Sequence, residues 1–123
     1  MFLPYPEENE RFPLLPLYLR DREENWTGKL QKFYSQFNGS IRALLRECLF
    51  RDVEQQGVVT FQILCPNQAV QKRLIQKRCR IGSMLELIWM DCHHRVAFCI
   101  DDKNGFHYQV FSIKGYLLEI KNA

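Results

Sequence analysis

The chain has 123 residues, a length that suits one domain and allows a core without disulfide staples. An apolar content of 46% and a charged content of 25% exclude an intrinsically disordered chain. The net charge of +3 is too small to indicate a nucleic-acid partner by itself.

Residues 1–25 read as an extended arm. Pro4, Pro6, Pro13 and Pro16 remove backbone donors and exclude a helix. Phe2, Leu3, Tyr5, Phe12, Leu14, Leu15, Leu17, Tyr18 and Leu19 make the arm too apolar for a free tail. It packs across its own domain or grips a neighbouring subunit or another protein, so a homo-oligomer is open. Residues 26–123 read as a single α+β domain. Leu30, Phe33, Tyr34 and Phe37 recur at helical spacing, with Asn38-Gly39 as a stop and Ser40 as the next N-cap. Ile41, Leu44, Leu45, Cys48, Leu49 and Val53 extend the helical period to Gly57. The alternative is that this helix ends near Cys48 and "LFRDV" begins a strand, turning back at "EQQG".

"VVTFQILC" (58–65) reads as a central strand stopped by Pro66. Asn67 caps a helix predicted from about Gln68 toward Met90. Val70, Leu74, Ile81, Met84, Leu85 and Ile88 share one face of it, and Gly82-Ser83 is its expected bend. "RVAFCIDD" and "FHYQVFSI" read as a hairpin around "DKNG". "YLLEI" suits either a last strand or one helical turn. The order is arm-α-α-β-α-β-β, and the expected architecture is a small, mostly antiparallel sheet with helices packed on one face.

The segment "VTFQILCPNQAVQKRLIQKRCRIGSMLELIW", followed by "HRVAFCID", resembles the N-terminal domain of the bacterial replication initiator DnaA. Pro66-Asn67 matches the strand-to-helix junction of that domain. Val70, Leu74, Ile81 and Leu85 match its helix anchors, and Val96, Phe98 and Ile100 match the following strand. The resemblance implies a KH-like fold and an adaptor role, because that domain recruits partner proteins and touches single-stranded DNA weakly. The KH loop signature GxxG is absent here, which speaks against KH-type RNA clamping.

No catalytic signature stands out. The carboxylates form no acid/base pair, and the glycines are isolated rather than gathered in a phosphate loop. The five cysteines (Cys48, Cys65, Cys79, Cys92 and Cys99) are odd in number and form no CxxC pair. They read as reduced thiols of a cytoplasmic protein. "MFLPYPEENE" lacks the basic start of a secretory signal, and no apolar run reaches the ~20 residues of a membrane span. Cys92, His93 and His94, with Cys99 and His107 nearby, do not have zinc-ligand spacing, so neither metal nor cofactor is expected. Phe106 and Tyr108 share one strand face and Phe111 the other, which suits burial better than base stacking.

The feature left for binding is "QKRLIQKRCR" (71–80). On one continuous helix Arg73, Lys77 and Arg80 form a stripe, with Lys72 and Arg78 on other flanks. Such a stripe meets carboxylates of a protein or phosphates of a nucleic acid. The expectation is a non-enzymatic adaptor that docks a protein through its arm, this stripe or a sheet edge. The alternative is a single-stranded nucleic-acid binder using the same stripe.

Overall fold

The computed structural model describes residues 23–122. Nearly all of the expected arm therefore lies outside the described residues. The first helix, α1, is Glu23–Ser35, and α2 is Gly39–Arg46. Strands β1 (Leu49–Gln55) and β2 (Val58–Cys65) follow, then α3 (Gln68–Ile75) and α4 (Arg78–Trp89). Strands β3 (Arg95–Asp102), β4 (Gly105–Ser112) and β5 (Leu117–Lys121) complete the chain. The strands form one sheet in the order β1-β2-β3-β4-β5. The β2/β3 pair is parallel and the other pairs are antiparallel. The fold is thus α+β with a mostly antiparallel sheet, as expected.

The described helices lie on one face of the sheet. Phe61 and Ile63 of β2, Val96, Phe98 and Ile100 of β3 and Phe111 of β4 point to that side. They meet Phe33 of α1, Ile41 and Leu45 of α2, Leu74 of α3, and Ile81 and Leu85 of α4. Phe33 packs edge-on against Phe37, Phe61 and Trp89 at 5.0, 5.8 and 6.0 Å between ring centres. Opposite parity sends Ala97, Cys99, Tyr108 and Val110 to the second face. Phe106 and Phe111 fall on opposite faces, as their spacing implied.

Three expectations are corrected. The second helix does not run to Val53 but stops at Arg46, and Leu49–Gln55 is a strand. Its register with β2, Leu49 opposite Leu64 through Gln55 opposite Val58, leaves Gln56-Gly57 as a two-residue turn. Both turn residues have positive φ, 53° and 81°, the conformation that matches hairpin twist and that glycine enters without strain. The ladder, with Phe50 stacked on Phe61 at 5.7 Å, overrides the helical period of Leu49 and Val53. The N-cap of α2 is Asn38 rather than Ser40: its Oδ1 accepts from the Ile41 N–H at 3.0 Å and from the Ser40 hydroxyl at 2.9 Å.

The third correction concerns the expected long helix, which is two helices. Asn67 caps α3, accepting from the Val70 N–H at 2.9 Å. The chain then leaves helical geometry at Lys77, with φ −107° and ψ 17°, and restarts at Arg78. An unbroken helix over this span would run about 35 Å at ~1.5 Å per residue. The eight-residue strands beneath it run only about 27 Å. Gly82-Ser83 is not the bend. Gly82 is where α4 touches the end of β4, and a methyl there would sit 3.0 Å from the Ile113 carbonyl carbon and closer still to its oxygen. "YLLEI" resolves as a strand, reached through a turn in which the Gly115 N–H donates to the Ser112 carbonyl at 2.9 Å.

Candidate functional site

The break between α3 and α4 redistributes the basic stretch. Lys72 and Arg73 lie in the last turns of α3 and are exposed, and Lys77 is exposed at the joint. Arg78 is half-buried. Its Nε donates to the Gly115 carbonyl at 2.8 Å and its Nη1 to the Ile75 carbonyl at 3.1 Å. Its guanidinium sits 4.9 Å from the centre of the Phe111 ring. Arg80 turns to another neighbour: Nη2 donates to the Gln36 carbonyl at 2.7 Å, and the guanidinium lies 5.5 Å from the Phe37 ring. The Arg73–Lys77–Arg80 stripe presumed one continuous helix, and that helix is broken. Arg78 fastens α4 to the β4–β5 turn, and Arg80 fastens it to the α1–α2 turn. Lys72, Arg73 and Lys77 remain as solvent-facing cations.

The "DCHHR" cluster disperses. Cys92 is exposed. His94 Nδ1 accepts from the Val59 N–H at 3.1 Å, tying the turn to β2. His93 points inward, wedged between Phe61 and Trp89 at 5.3 and 5.5 Å. Its Nε2 lies 2.8 Å from Asp52 Oδ1, and its side chain is 1% exposed. An ionised carboxylate only accepts, so Nε2 donates to it, and Nδ1 is buried without a hydrogen-bond partner among the described residues. Asp52 Oδ2 accepts from Trp26 Nε1 at 3.3 Å. One carboxylate on β1 thus holds α1 and the β3 approach together. This is a fastener that sequence reading missed, because residues 49–53 were left between helix and strand and the partners of Asp52 are 41 and 26 residues away. Among the described residues no group of three potential metal ligands converges.

Two open depressions mark the surface. One is lined by Gln31, Tyr34, Ser35, Arg42 and Arg46, the other by Gln55, Gln56, Val58 and Arg95. Among the described residues neither lining includes a carboxylate, thiol or imidazole; the first carries the Tyr34 phenol and the Ser35 hydroxyl beside two guanidinium groups.

The sheet edge at β5 is different. Tyr116, Leu117, Leu118 and Ile120 are 73%, 55%, 53% and 50% exposed, so the edge strand presents apolar side chains to water. Phe111 faces Leu117 and Val110 faces Glu119, which makes Leu118 the extra residue of a bulge. The Tyr108 hydroxyl donates to Glu119 at 2.9 Å and holds that carboxylate on the helix-free side. Burial and this hydrogen bond push the Tyr108 phenol up to about 12. The opposite edge, β1, carries Arg51, Asp52 and Glu54 and is flanked by Trp26 of α1. Natural edges are normally blunted by charge in this way. At β5 only the bulge, Glu119 and Lys121 serve that end. The basic joint stands beside it, since Arg78 bonds Gly115 and the Cys79 thiol approaches the Lys114 carbonyl at 3.7 Å. Sequence reading noted "YLLEI" as a strand candidate, but nothing local says which strand of a sheet is outermost.

Comparison with family models, with curated proteins and with solved structures finds no match. Among the described residues no helix is long and apolar enough to cross a membrane.

Proposed function

We propose that this chain is a non-enzymatic adaptor that takes up an extended segment of a protein partner along β5. The observation that carries the reading is the half-exposed apolar row Leu117, Leu118 and Ile120 on an outermost strand. Strand addition supplies main-chain hydrogen bonds, and alternate side chains supply selectivity. Lys77 and Lys114 at one end and Lys121 at the other favour a partner segment that is apolar at its centre and acidic at its flanks. The resemblance of residues 59–101 to the KH-like domain of a replication initiator supports the same class of role, since that domain recruits proteins. The reading includes a reducing, cytoplasmic setting, supported by five free thiols, of which Cys79 and Cys92 are exposed.

The test uses the full chain as bait in its native lysate, treated with nuclease, beside two variants. Leu117→Lys with Ile120→Lys should abolish capture of the partner. Lys72→Ala with Arg73→Ala and Lys77→Ala should reduce it only modestly. Capture unchanged by the β5 variant overturns the reading. Capture that disappears with nuclease and with the basic variant, while ignoring β5, replaces it with single-stranded nucleic-acid binding, whose affinity must also fall steeply with salt.

A further inference from the structure

The open end of the β1–β2 hairpin carries two thiols. The ladder ends with Leu49 opposite Leu64, and one step further sets Cys48 opposite Cys65. The turn fixes the phase of that step. A two-residue turn makes Gln55 and Val58 a hydrogen-bonded pair, and the two kinds of pair alternate from there. By that alternation Leu49 and Leu64 are a hydrogen-bonded pair, and Cys48 and Cys65 are a non-hydrogen-bonded one. The Cys48 N–H accordingly turns away from β2 and donates to the Leu45 carbonyl at 3.1 Å. In a pair of this kind the Cα atoms approach to about 4.5 Å, within the range that a disulfide spans. Strand parity gives both side chains the helix side of the sheet, with Phe50, Phe61 and Ile63. They are 6% and 3% exposed, and the Cys65 thiol hydrogen-bonds with that of Cys48. Cys99 lies beside Leu64 but on the other face, so the sheet separates it from the pair.

We propose that Cys48 and Cys65 are a site of reversible oxidation, closing as a cross-strand disulfide when the chain meets a small-molecule disulfide such as oxidised glutathione. One thiol loses its proton, and the thiolate attacks a sulfur of the reagent, releasing one reagent thiol. The second thiolate then attacks the protein sulfur of that mixed disulfide and releases the other. The chain gives up two electrons and two protons, and the reagent carries them away as two thiols. Burial and the neighbouring thiol push the Cys65 thiol far above its ordinary range, so the pair is inert while the hairpin end is shut. Cys48 joins α2 to β1, and Cys65 is the last residue of β2. Strand β1 is outermost in the sheet. Local opening of this edge, rather than of the whole core, brings the sulfurs to the reagent. A reducing setting keeps the pair as the free thiols of this structure, and a rise in small disulfides closes it. The bond ties the exit of α2 to the approach to α3. It lies at the sheet edge opposite β5, so the inference is independent of what docks there.

The test uses the full chain with Cys79→Ser and Cys92→Ser, which keeps Cys48, Cys65 and Cys99 as its thiols. Should that variant fail to fold, the native chain with its two exposed thiols blocked by brief iodoacetamide treatment takes its place. Reduced protein is equilibrated in mixtures of reduced and oxidised glutathione, both folded and in concentrated urea, then quenched with acid and digested. The folded protein should lose the mass of two hydrogens, and its linked peptides should be those of Cys48 and Cys65. The equilibrium constant for closing the pair should be at least tenfold larger folded than in urea, because the fold already holds the sulfurs together. The closed form should unfold at a Tm roughly 10 °C higher than the reduced form. A closing constant no larger folded than in urea overturns the proposal. Linkage through Cys99, or glutathione adducts that never resolve into a protein disulfide, overturns it as well. Refolding from urea in the same mixtures approaches the equilibrium from the open side, so protein still reduced after refolding counts equally against it.

Discussion

Replacing Gly82 by alanine should destabilise the protein, although alanine is the better helix former. In a free helix the change gains ~1 kcal/mol. Here the new methyl meets the Ile113 backbone carbonyl, with the carbon at 3.0 Å and the oxygen nearer. A backbone oxygen cannot rotate aside like a side chain, so α4 and the end of β4 must separate. Overpacking of this kind costs about 1–3 kcal/mol, and the rigid neighbour places Gly82 at the upper end. The net expectation is a loss of about 2 kcal/mol, or a Tm lower by roughly 8–16 °C for a domain of this size. Gly28→Ala is the matched control. Gly28 lies inside α1 with nothing within 4 Å of the added carbon, so the same substitution should stabilise by about 0.5–1 kcal/mol. Urea and thermal unfolding of the two variants measure the difference. A Gly82→Ala protein as stable as the native chain would show that the α4–β4 contact gives way freely, and the reasoning would fail.

Asp52→Ala removes the acceptor shared by His93 and Trp26, leaving a buried imidazole N–H unpaired. A loss of about 2–3 kcal/mol is expected in urea unfolding, with a red-shifted tryptophan emission as the start of α1 loosens. Arg80→Ala should cost about 1 kcal/mol through its Gln36 hydrogen bond and Phe37 contact, whereas Lys77→Ala should stay within ~0.5 kcal/mol. The pair separates fastening cations from free ones. Tyr108 titrates near 12 folded and near 10 unfolded, so above pH 10 the unfolded chain has lost a proton that the folded chain keeps. Its contribution to stability should be intact below pH 10 and lost between pH 10 and about 12. Comparing alkaline unfolding of the native chain with Tyr108→Phe checks this, and a variant with the same pH profile would contradict it.

Much of the fold was legible where local chemistry and tertiary demand agree. "VVTFQILC" is β-branched and central, and it became β2; "RVAFCIDD" and "FHYQVFSI" meet across a two-residue turn between Asp102 and Gly105. At Leu49 the local signals conflicted: Leu49 and Val53 continue the helical period, while "LFRDV" before "EQQG" also suited a hairpin strand, and the pairing with β2 decides for the strand. The joint at Lys77 was hidden, lacking both proline and glycine, while Gly82 advertised flexibility and proved to be a contact point. The basic residues were found, but their grouping was not: it depended on that joint. The exposed row on β5 was invisible for another reason, since outermost position belongs to the sheet as a whole.

Among the described strands the single parallel pair also has a kinetic meaning. Strands β1 and β2, and likewise β3, β4 and β5, join neighbours in sequence through short turns. Such hairpins form in about 1–10 μs. Among the described strands only the β2/β3 register joins the two groups, and closing it requires the whole α3–α4 crossover to be drawn in. The late step of folding should therefore be the docking of two preformed pieces, with the closure entropy of that crossover as its barrier. Substitutions at Ile63 or Phe98 should slow folding, whereas changes at the Lys103-Asn104 turn should mainly alter how quickly the chain unfolds.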